Sequence, residues 1–538
     1  MAGMSASGAV LIAALALLAV LALLGVRRAG QGLAVAAALI AGSVALAGLQ
    51  WQALPGTIVA LGAAFLVWRG RASGRGVGAG LAAGAVLSAL PFWFFPVFSL
   101  PAPEGVHPVG TIAIEMTDTA RRGVLGRPAD EPRRLPVRIW YPGAAGEAGP
   151  RAAYTGRTEA MSLGTTFGEP WFLYTSFASV RANGMEGIRA ASGKWPVVLL
   201  NHGFWSYKEQ NTAIAEHLAS HGYIVVSIGH PGDSVRYRFA DGHEIPPFMG
   251  GTEDSEATKA LEQGIATFMG AATEEGRFKG LSLYDAGSAG HRINASAHAW
   301  RDDNLFVLGA LERAAPASAA AIVETADFRR VAVAGMSFGG SAAPSACARI
   351  ANCRAAINLD GESFDFSLYN ADLGRPLLLM LTGQKFASSQ RDDPDTNPTD
   401  YAYERWAVAG ETPGIYRMRV ETMRHLGLMD LLFAARAPFK ARLYGTIDAD
   451  RGIRLMNDAA LDFLDRHVKG EANDFPAGFY KRFPEARAHD AAHVRHWWLA
   501  FNAARGCTAD KVRVIVPAND PAGMRLGPWA SAASACND

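Results

Sequence analysis

Between the apolar run Val331-Ala332-Val333-Ala334 and the small-residue stretch Gly340-Ser341-Ala342-Ala343 lies the pentapeptide Gly335-Met336-Ser337-Phe338-Gly339. This order suits a strand that turns sharply into a helix. The apolar run predicts a buried strand, and the small residues predict a helix that lies close against it. A glycine on each side of the serine removes side chains that would strike the neighbouring strand or helix. The serine is left exposed at the edge of the sheet, with the next amide N–H aimed where an oxyanion would develop. Such an elbow commits the chain to an α/β sheet fold and points to Ser337 as a nucleophile.

The sequence around the elbow supports that reading. From about Val109, short apolar runs alternate with helical stretches, punctuated by Gly and Pro. Predicted strands are Arg138–Tyr141, Val197–Leu200, Ile224–Ile228, Val331–Ala334, Ala355–Leu359, Leu377–Leu381 and Tyr416–Val420. Helical segments such as Thr212–Ser220 and Asn304–Arg313 fall between them. Alternation of this kind predicts a mainly parallel sheet with helices on both faces, with its chemistry in the loops after the strands' carboxyl ends.

A serine nucleophile needs a base and an acid that orients it. Asp360 ends the strand Ala356-Ile357-Asn358-Leu359, with Glu362 as the local rival for the acid role. His425 follows the strand Tyr416–Val420 and is the expected base. The order Ser, Asp, His, each member after a strand, is that of α/β-hydrolases. A second oxyanion donor is expected from the loop after an earlier strand, which Asn201-His202-Gly203-Phe204 supplies. The amides of Phe204 and Phe338 are therefore the expected oxyanion hole. His202 reads as a structural residue of its turn, and His230 and Asp233 as loop architecture beside the site.

The first hundred residues contain no Asp or Glu and carry four apolar segments: Gly8–Val26, Gly32–Leu49, Pro55–Trp68 and Val77–Leu100. The first, second and fourth are long enough to cross a hydrocarbon core of roughly 30 Å as helices. The third reaches that length only with its polar flanks. A cleaved leader fits the first segment poorly, because Arg27 and Arg28 follow the apolar run and no basic residue precedes it. Arg27 and Arg28 separate segments one and two, while Arg69, Arg71 and Arg75 separate three and four. The loop Gln50–Leu54 has neither Lys nor Arg. The positive-inside rule then places both basic loops in the cytoplasm and everything after Leu100 outside it. The expectation is a four-helix anchor in the cytoplasmic membrane with an extracytoplasmic, periplasmic domain.

A formal charge of +1 gives no reason to expect a nucleic-acid partner. Four cysteines in 538 residues exclude a disulfide scaffold. They form two local pairs, Cys347/Cys353 and Cys507/Cys536. Two bridges would suit an oxidising compartment, and four free thiols a reducing one.

Several ordered blocks resemble the secreted platelet-activating-factor acetylhydrolase family and related dienelactone-hydrolase-like proteins. Trp195–Ser234 resembles that family's strand, His-Gly loop, helix and next strand, and Val331–Gly340 its elbow, with Met336 where the family usually has His. Ala355–Phe364 is similar to the strand carrying its acid, and Arg375–Phe386 to the following strand. Val420–Phe433 resembles its histidine segment and Gly445–Gly470 its closing helix. The resemblance implies an α/β-hydrolase fold and ester hydrolysis without metal or other cofactor. It implies Ser337 as nucleophile, Asp360 as acid and His425 as base, with an ester or lipid as substrate. Dienelactone hydrolases carry cysteine at the nucleophile, so Ser337 argues against that reaction. The expected organisation is a membrane domain over 1–105, a catalytic domain over 106–470 with a lid insertion at 239–299, and an extension over 471–538 without an assigned role. A general carboxylesterase, a polyester or xenobiotic esterase, and a catalytically silent hydrolase fold serving as a membrane receptor or assembly protein are the alternatives.

Overall fold

The computed structural model describes residues 4–26, 28–248, 255–288, 291–369, 373–384, 397–403, 414–492 and 494. Its contacts divide the chain into two compact units. The first comprises Met1–Ala102 together with Arg151–Asn183 and Asp430–Ala449; the second comprises the remainder.

In the first unit, the apolar segments form four helices: α1 (Ala6–Leu23), α2 (Arg28–Ala47), α3 (Leu54–Trp68) and α4 (Arg75–Phe94). All four are long and apolar enough to cross a membrane. The segment that looked short reaches that length because the 3₁₀ turn Trp51–Ala53 runs directly into α3. Small residues bring the helices together. A Cβ on Gly78 would lie 2.5 Å from Leu23 Cγ, and one on Gly42 only 2.3 Å from Thr57 Oγ1. Tight approach through small residues is how helices associate where no hydrophobic drive exists between them. Leu11, Leu15 and Ala38 are buried inside, whereas Leu33, Ile40, Ile58 and Leu87 are exposed on the outside. An apolar exterior of this kind suits lipid as solvent.

This unit also contains chain that the reading of 1–105 left out. Thr175 Oγ1 donates to Leu49 O at 2.8 Å, Trp51 Nε1 donates to Leu173 O at 3.1 Å, and Arg436 N–H donates to Phe94 O at 2.8 Å. The last of these bonds occupies the carbonyl of Phe94 at the end of α4, which has no intrahelical partner.

The second unit is built on a twisted sheet. Its main strands are β1 (Val109–Arg122), β2 (Pro132–Pro142), β3 (Trp195–Asn201), β4 (Ile224–Ile228), β5 (Ala326–Met336), β6 (Cys353–Leu359), β7 (Leu377–Gln384), β8 (Ile415–Arg424) and β9 (Ala486–Ala488). Their order is β9-β8-β7-β6-β5-β3-β4-β2-β1. The run from β4 to β8 is parallel throughout, whereas β2, β1 and β9 pair antiparallel. Val197, Leu199, Val331, Val333, Ala356, Leu377 and Leu379 form the middle of the core, all nearly inaccessible. Apolar residues at successive positions are what a parallel strand covered on both faces requires.

Every strand anticipated from the apolar runs is present. The longest, β1, was not anticipated. Its buried positions include the polar Thr111 and Asp118, which obscure a period of two. The extension after 470 contributes β9, paired through Met418↔Ala488, so the sheet continues beyond the expected boundary. His493, Trp497, Trp498, Cys507 and Cys536 lie outside the described residues.

The helices that frame the site are α5 (Thr212–Ser220), α6 (Ser255–Gly270), α7 (Glu274–Ser288), α8 (Arg292–Ala314) and α9 (Phe338–Arg349). The stretch 239–299 supplies α6, α7 and the start of α8. Leu261, Phe268, Leu281 and Tyr284 of α6 and α7 are buried in the main core. The bridge Cys347–Cys353 ties the end of α9 to the start of β6.

Candidate active site

Ser337 occupies the turn between β5 and α9 with φ 57° and ψ −123°. A side-chain-bearing residue in that region is strained by about 1–3 kcal/mol, and the surroundings hold it there. Ser337 N–H donates to Leu359 O at 2.8 Å. The flanking glycines allow close backbone crossings. A Cβ on Gly335 would lie 2.2 Å from Gly339 O, and one on Gly339 2.4 Å from His202 O.

From the ends of β6 and β8 come the two groups that continue the chain of contacts. His425 Nε2 is 2.9 Å from Ser337 Oγ, and His425 Nδ1 is 2.8 Å from Asp360 Oδ2. Asp360 and His425 are both buried. The carboxylate is also held by Thr382, whose N–H donates to Oδ1 at 3.0 Å and whose hydroxyl donates to Oδ2 at 2.7 Å. Asp360 itself has φ 56°, and its N–H donates to Met380 O at 2.8 Å. The His425–Leu428 turn is fastened by Asn211 Nδ2, which donates to Leu428 O at 2.8 Å.

The loop after β3 approaches the serine from the other side. A Cβ on Gly203 would touch Ser337 Cβ at 3.3 Å, so the Gly203–Phe204 backbone passes directly beside the hydroxyl-bearing carbon. Gly203 N–H donates to Gln210 Oε1 at 2.9 Å. The Phe204 and Phe338 rings lie 5.2 Å apart, and Phe338 is also packed by Trp300 and Phe364. Ser337, Asp360, His425, Phe204 and Phe338 are thus brought to one place from four separate parts of the chain.

A family model described as platelet-activating factor acetylhydrolase, isoform II, matches residues 94–243. That match spans β1 to β4 and the His-Gly loop and ends before the elbow. Among solved structures, a ferulic acid esterase from Streptomyces cinnamoneus aligns with a TM-score of 0.53 at 22% identity. The alignment covers 73% of this chain and 99% of that one, a likeness of fold. The chain has an α/β-hydrolase fold, and its match over residues 94–243 supports a carboxylic-ester hydrolase similar to the platelet-activating factor acetylhydrolases. No curated protein matches it.

Beside the loop after β3 lies a buried polar network that includes His202, His230 and Asp233. His202 Nε2 accepts the backbone N–H of His230 at 3.1 Å, so its proton sits on Nδ1, which donates to Gly203 O at 2.7 Å. Burial pushes the His202 pKa well below its ordinary value, with neighbouring His230 adding to the effect. His230 is stacked on Trp300 at 3.8 Å and bonded to Asp303 at 2.8 Å, and burial lowers its pKa too. Burial opposes the charge on Asp303, yet Arg133, His230 and Arg121 outweigh it and hold its pKa below the usual carboxylate range. Asp233 accepts from Trp300 Nε1 at 2.9 Å and pairs with Arg292 at 2.5 Å.

Thr382, Gln210 and Asp303 were not singled out from the sequence. The one local signal was polarity at a strand end: Thr382 follows Leu377–Leu381 as Asn201 follows Val197–Leu200.

Proposed function

We propose that this hydrolase is a membrane-anchored serine esterase that cleaves lipid or short-chain acyl esters through an acyl-enzyme on Ser337. The observation that carries the proposal is the hydrogen-bonded chain Ser337 Oγ–His425 Nε2 and His425 Nδ1–Asp360 Oδ2. With the Nδ1 proton donated to Asp360, Nε2 is free to take the Ser337 proton as Oγ attacks the ester carbonyl carbon. Asp360 orients the imidazole and stabilises the imidazolium. The carbonyl oxygen becomes an oxyanion, stabilised by the amides of Phe204 and Phe338. Collapse expels the alcohol, which takes the proton back from His425. Water, deprotonated by the same histidine, then attacks the acyl-enzyme and releases the acid.

Phe204, Phe338, Trp300 and Phe364 give the site an aromatic wall suited to an apolar acyl group. Tyr284 of α7 meets Phe364 at 6.3 Å, so we assign α7 to the flank of the acyl pocket. Four spanning-length helices and the arginines of their loops support anchoring in the cytoplasmic membrane with the catalytic unit outside. The Cys347–Cys353 bridge supports the same compartment, since such bonds persist under oxidising conditions.

Labelling intact cells with a membrane-impermeant fluorophosphonate tests chemistry and topology together. Covalent modification of Ser337, lost in Ser337→Ala, is expected. A folded wild-type protein that does not react, even after the cells are lysed, would overturn the esterase assignment in favour of a binding role. Reaction only after lysis would overturn the topology.

A further inference from the structure

One apolar feature of the first unit is not accounted for by helix packing. Trp51, Leu87, Leu90, Phe94, Phe95 and Phe439 line an open groove of about 500 Å³ between the end of α4 and the Asp430–Ala449 segment. Its volume is within the range of sites that hold a small organic ligand. The aromatic rings form a continuous floor: Trp51 meets Phe95 at 5.8 Å, while Phe439 meets Phe94 at 5.6 Å and Phe95 at 5.1 Å. Leu87, Leu90, Trp93 and Phe439 are between 40% and 63% exposed, which in water would be a costly surface.

Charge at the rim identifies the occupant. The guanidinium of Arg436 lies 4.4 Å over the ring of Trp93. Residues 434–443 include Arg436, Lys440 and Arg442 and no carboxylate. A tryptophan bearing an arginine, at the end of a spanning-length apolar helix, marks the depth of lipid headgroups. Below that level the groove continues the lipid-facing surface of α4, where the available apolar matter is hydrocarbon chain.

We propose that this groove holds one acyl chain of a glycerophospholipid, with the lipid's phosphate against Arg436. Anionic phosphate complements the cationic segment, and the aromatic floor accommodates a chain that leaves the bulk leaflet. The proposal rests on the membrane-anchored reading given above, and it deepens the substrate class. The segment holding Arg436 and Phe439 begins five residues after His425, so the site is written into the stretch of chain that follows the proposed base.

The test uses the full-length protein in vesicles of phosphatidylethanolamine and phosphatidylglycerol doped with a phosphatidylglycerol carrying a diazirine in the half of one acyl chain nearest its ester. Irradiation and peptide mapping should concentrate cross-links on Leu87–Phe94 and Pro438–Phe439. Leu90→Trp, which fills the groove, and Arg436→Gln, which removes the rim charge, should each lower that signal several-fold. Leu33→Trp, on the exposed face of α2, should leave it unchanged. Melting temperature and elution volume establish that each variant is folded. Cross-links spread evenly over the faces of α1 to α4, insensitive to Leu90→Trp, would overturn the site. Because photolabelling needs no turnover, enrichment without any vesicle-lipid hydrolysis would uphold the groove and sink the lipid-substrate reading. Hydrolysis without enrichment would do the reverse.

Discussion

Thr382 grips both oxygens of Asp360, its N–H on Oδ1 at 3.0 Å and its hydroxyl on Oδ2 at 2.7 Å. The second of these oxygens is also the one that faces His425. The carboxylate is therefore fixed in the plane that meets the imidazole, with no rotation left to it. Thr382→Val keeps the shape and the backbone bond and deletes only the hydroxyl. A hydrogen bond to a charged group contributes about 1.5–3 kcal/mol, so kcat should fall about 10-fold or more. KM for a short p-nitrophenyl ester should be nearly unchanged, because Thr382 does not meet the acyl group. A kcat equal to the wild type would refute the orienting role.

His202 offers a complementary case. Its Nδ1 proton holds Gly203 O, and across a trans peptide the Phe204 N–H points to the opposite edge of the same plane. His202→Ala should therefore lose kcat by about 10-fold or more through misaimed oxyanion stabilisation, by comparison with the loss of a whole donor. His202→Asn places an amide N–H where Nδ1 stood and should recover most of the rate. If Asn and Ala variants are equally impaired at equal stability, the peptide-aiming role is wrong.

Gly361 lies against the elbow. A Cβ there would fall 2.2 Å from Ser337 O and 2.6 Å from Ser341 N, both backbone atoms that cannot step aside. Gly361→Ala should destabilise the second unit by a few kcal/mol and disturb the serine turn. Denaturant unfolding reads the first effect, and fluorophosphonate labelling rate the second. A wild-type midpoint would show that the elbow has slack.

His217, buried on α5, supplies a pH dependence. Burial, then repulsion from His221, depresses its pKa to about 3. The unfolded side chain titrates near its ordinary value of about 6.5. Between those values the unfolded state binds the extra proton, so stability is present above about 6.5 and is lost as pH falls toward about 3. The loss is on the order of a few kcal/mol for this residue. His217→Gln should flatten the fall in melting temperature across that window. An unchanged slope would mean that other groups set the acid limit.

The site was legible in sequence because each of its members stands at a strand end. Ser337, Asp360, His425 and Phe204 each follow an apolar run, and a parallel sheet brings such positions to one edge. What surrounds them was not legible in the same way. Thr382 meets Asp360 through the β6–β7 register, and Asp303 reaches His230 from a helix some seventy residues later. Neither partner carries a local signal, since Thr and Asp serve many ordinary roles. β1 was hidden for a related reason: Thr111 and Asp118 point inward, so polarity ceased to report burial.

The amino-acid sequence by itself determined the local elements: the elbow, the alternation of strands and helices, and four long apolar segments. Backbone sterics and hydrophobic periodicity act over a few residues, and a reader of the chain has access to both. Tertiary structure alone decided which distant groups meet. It placed the Asp360 carboxylate 2.8 Å from His425 and brought the Thr382 hydroxyl onto the same oxygen. It also gathered Arg151–Asn183 and Asp430–Ala449 into one unit with the apolar helices. Such pairings depend on register and packing across the whole sheet or bundle, and no window of sequence contains them.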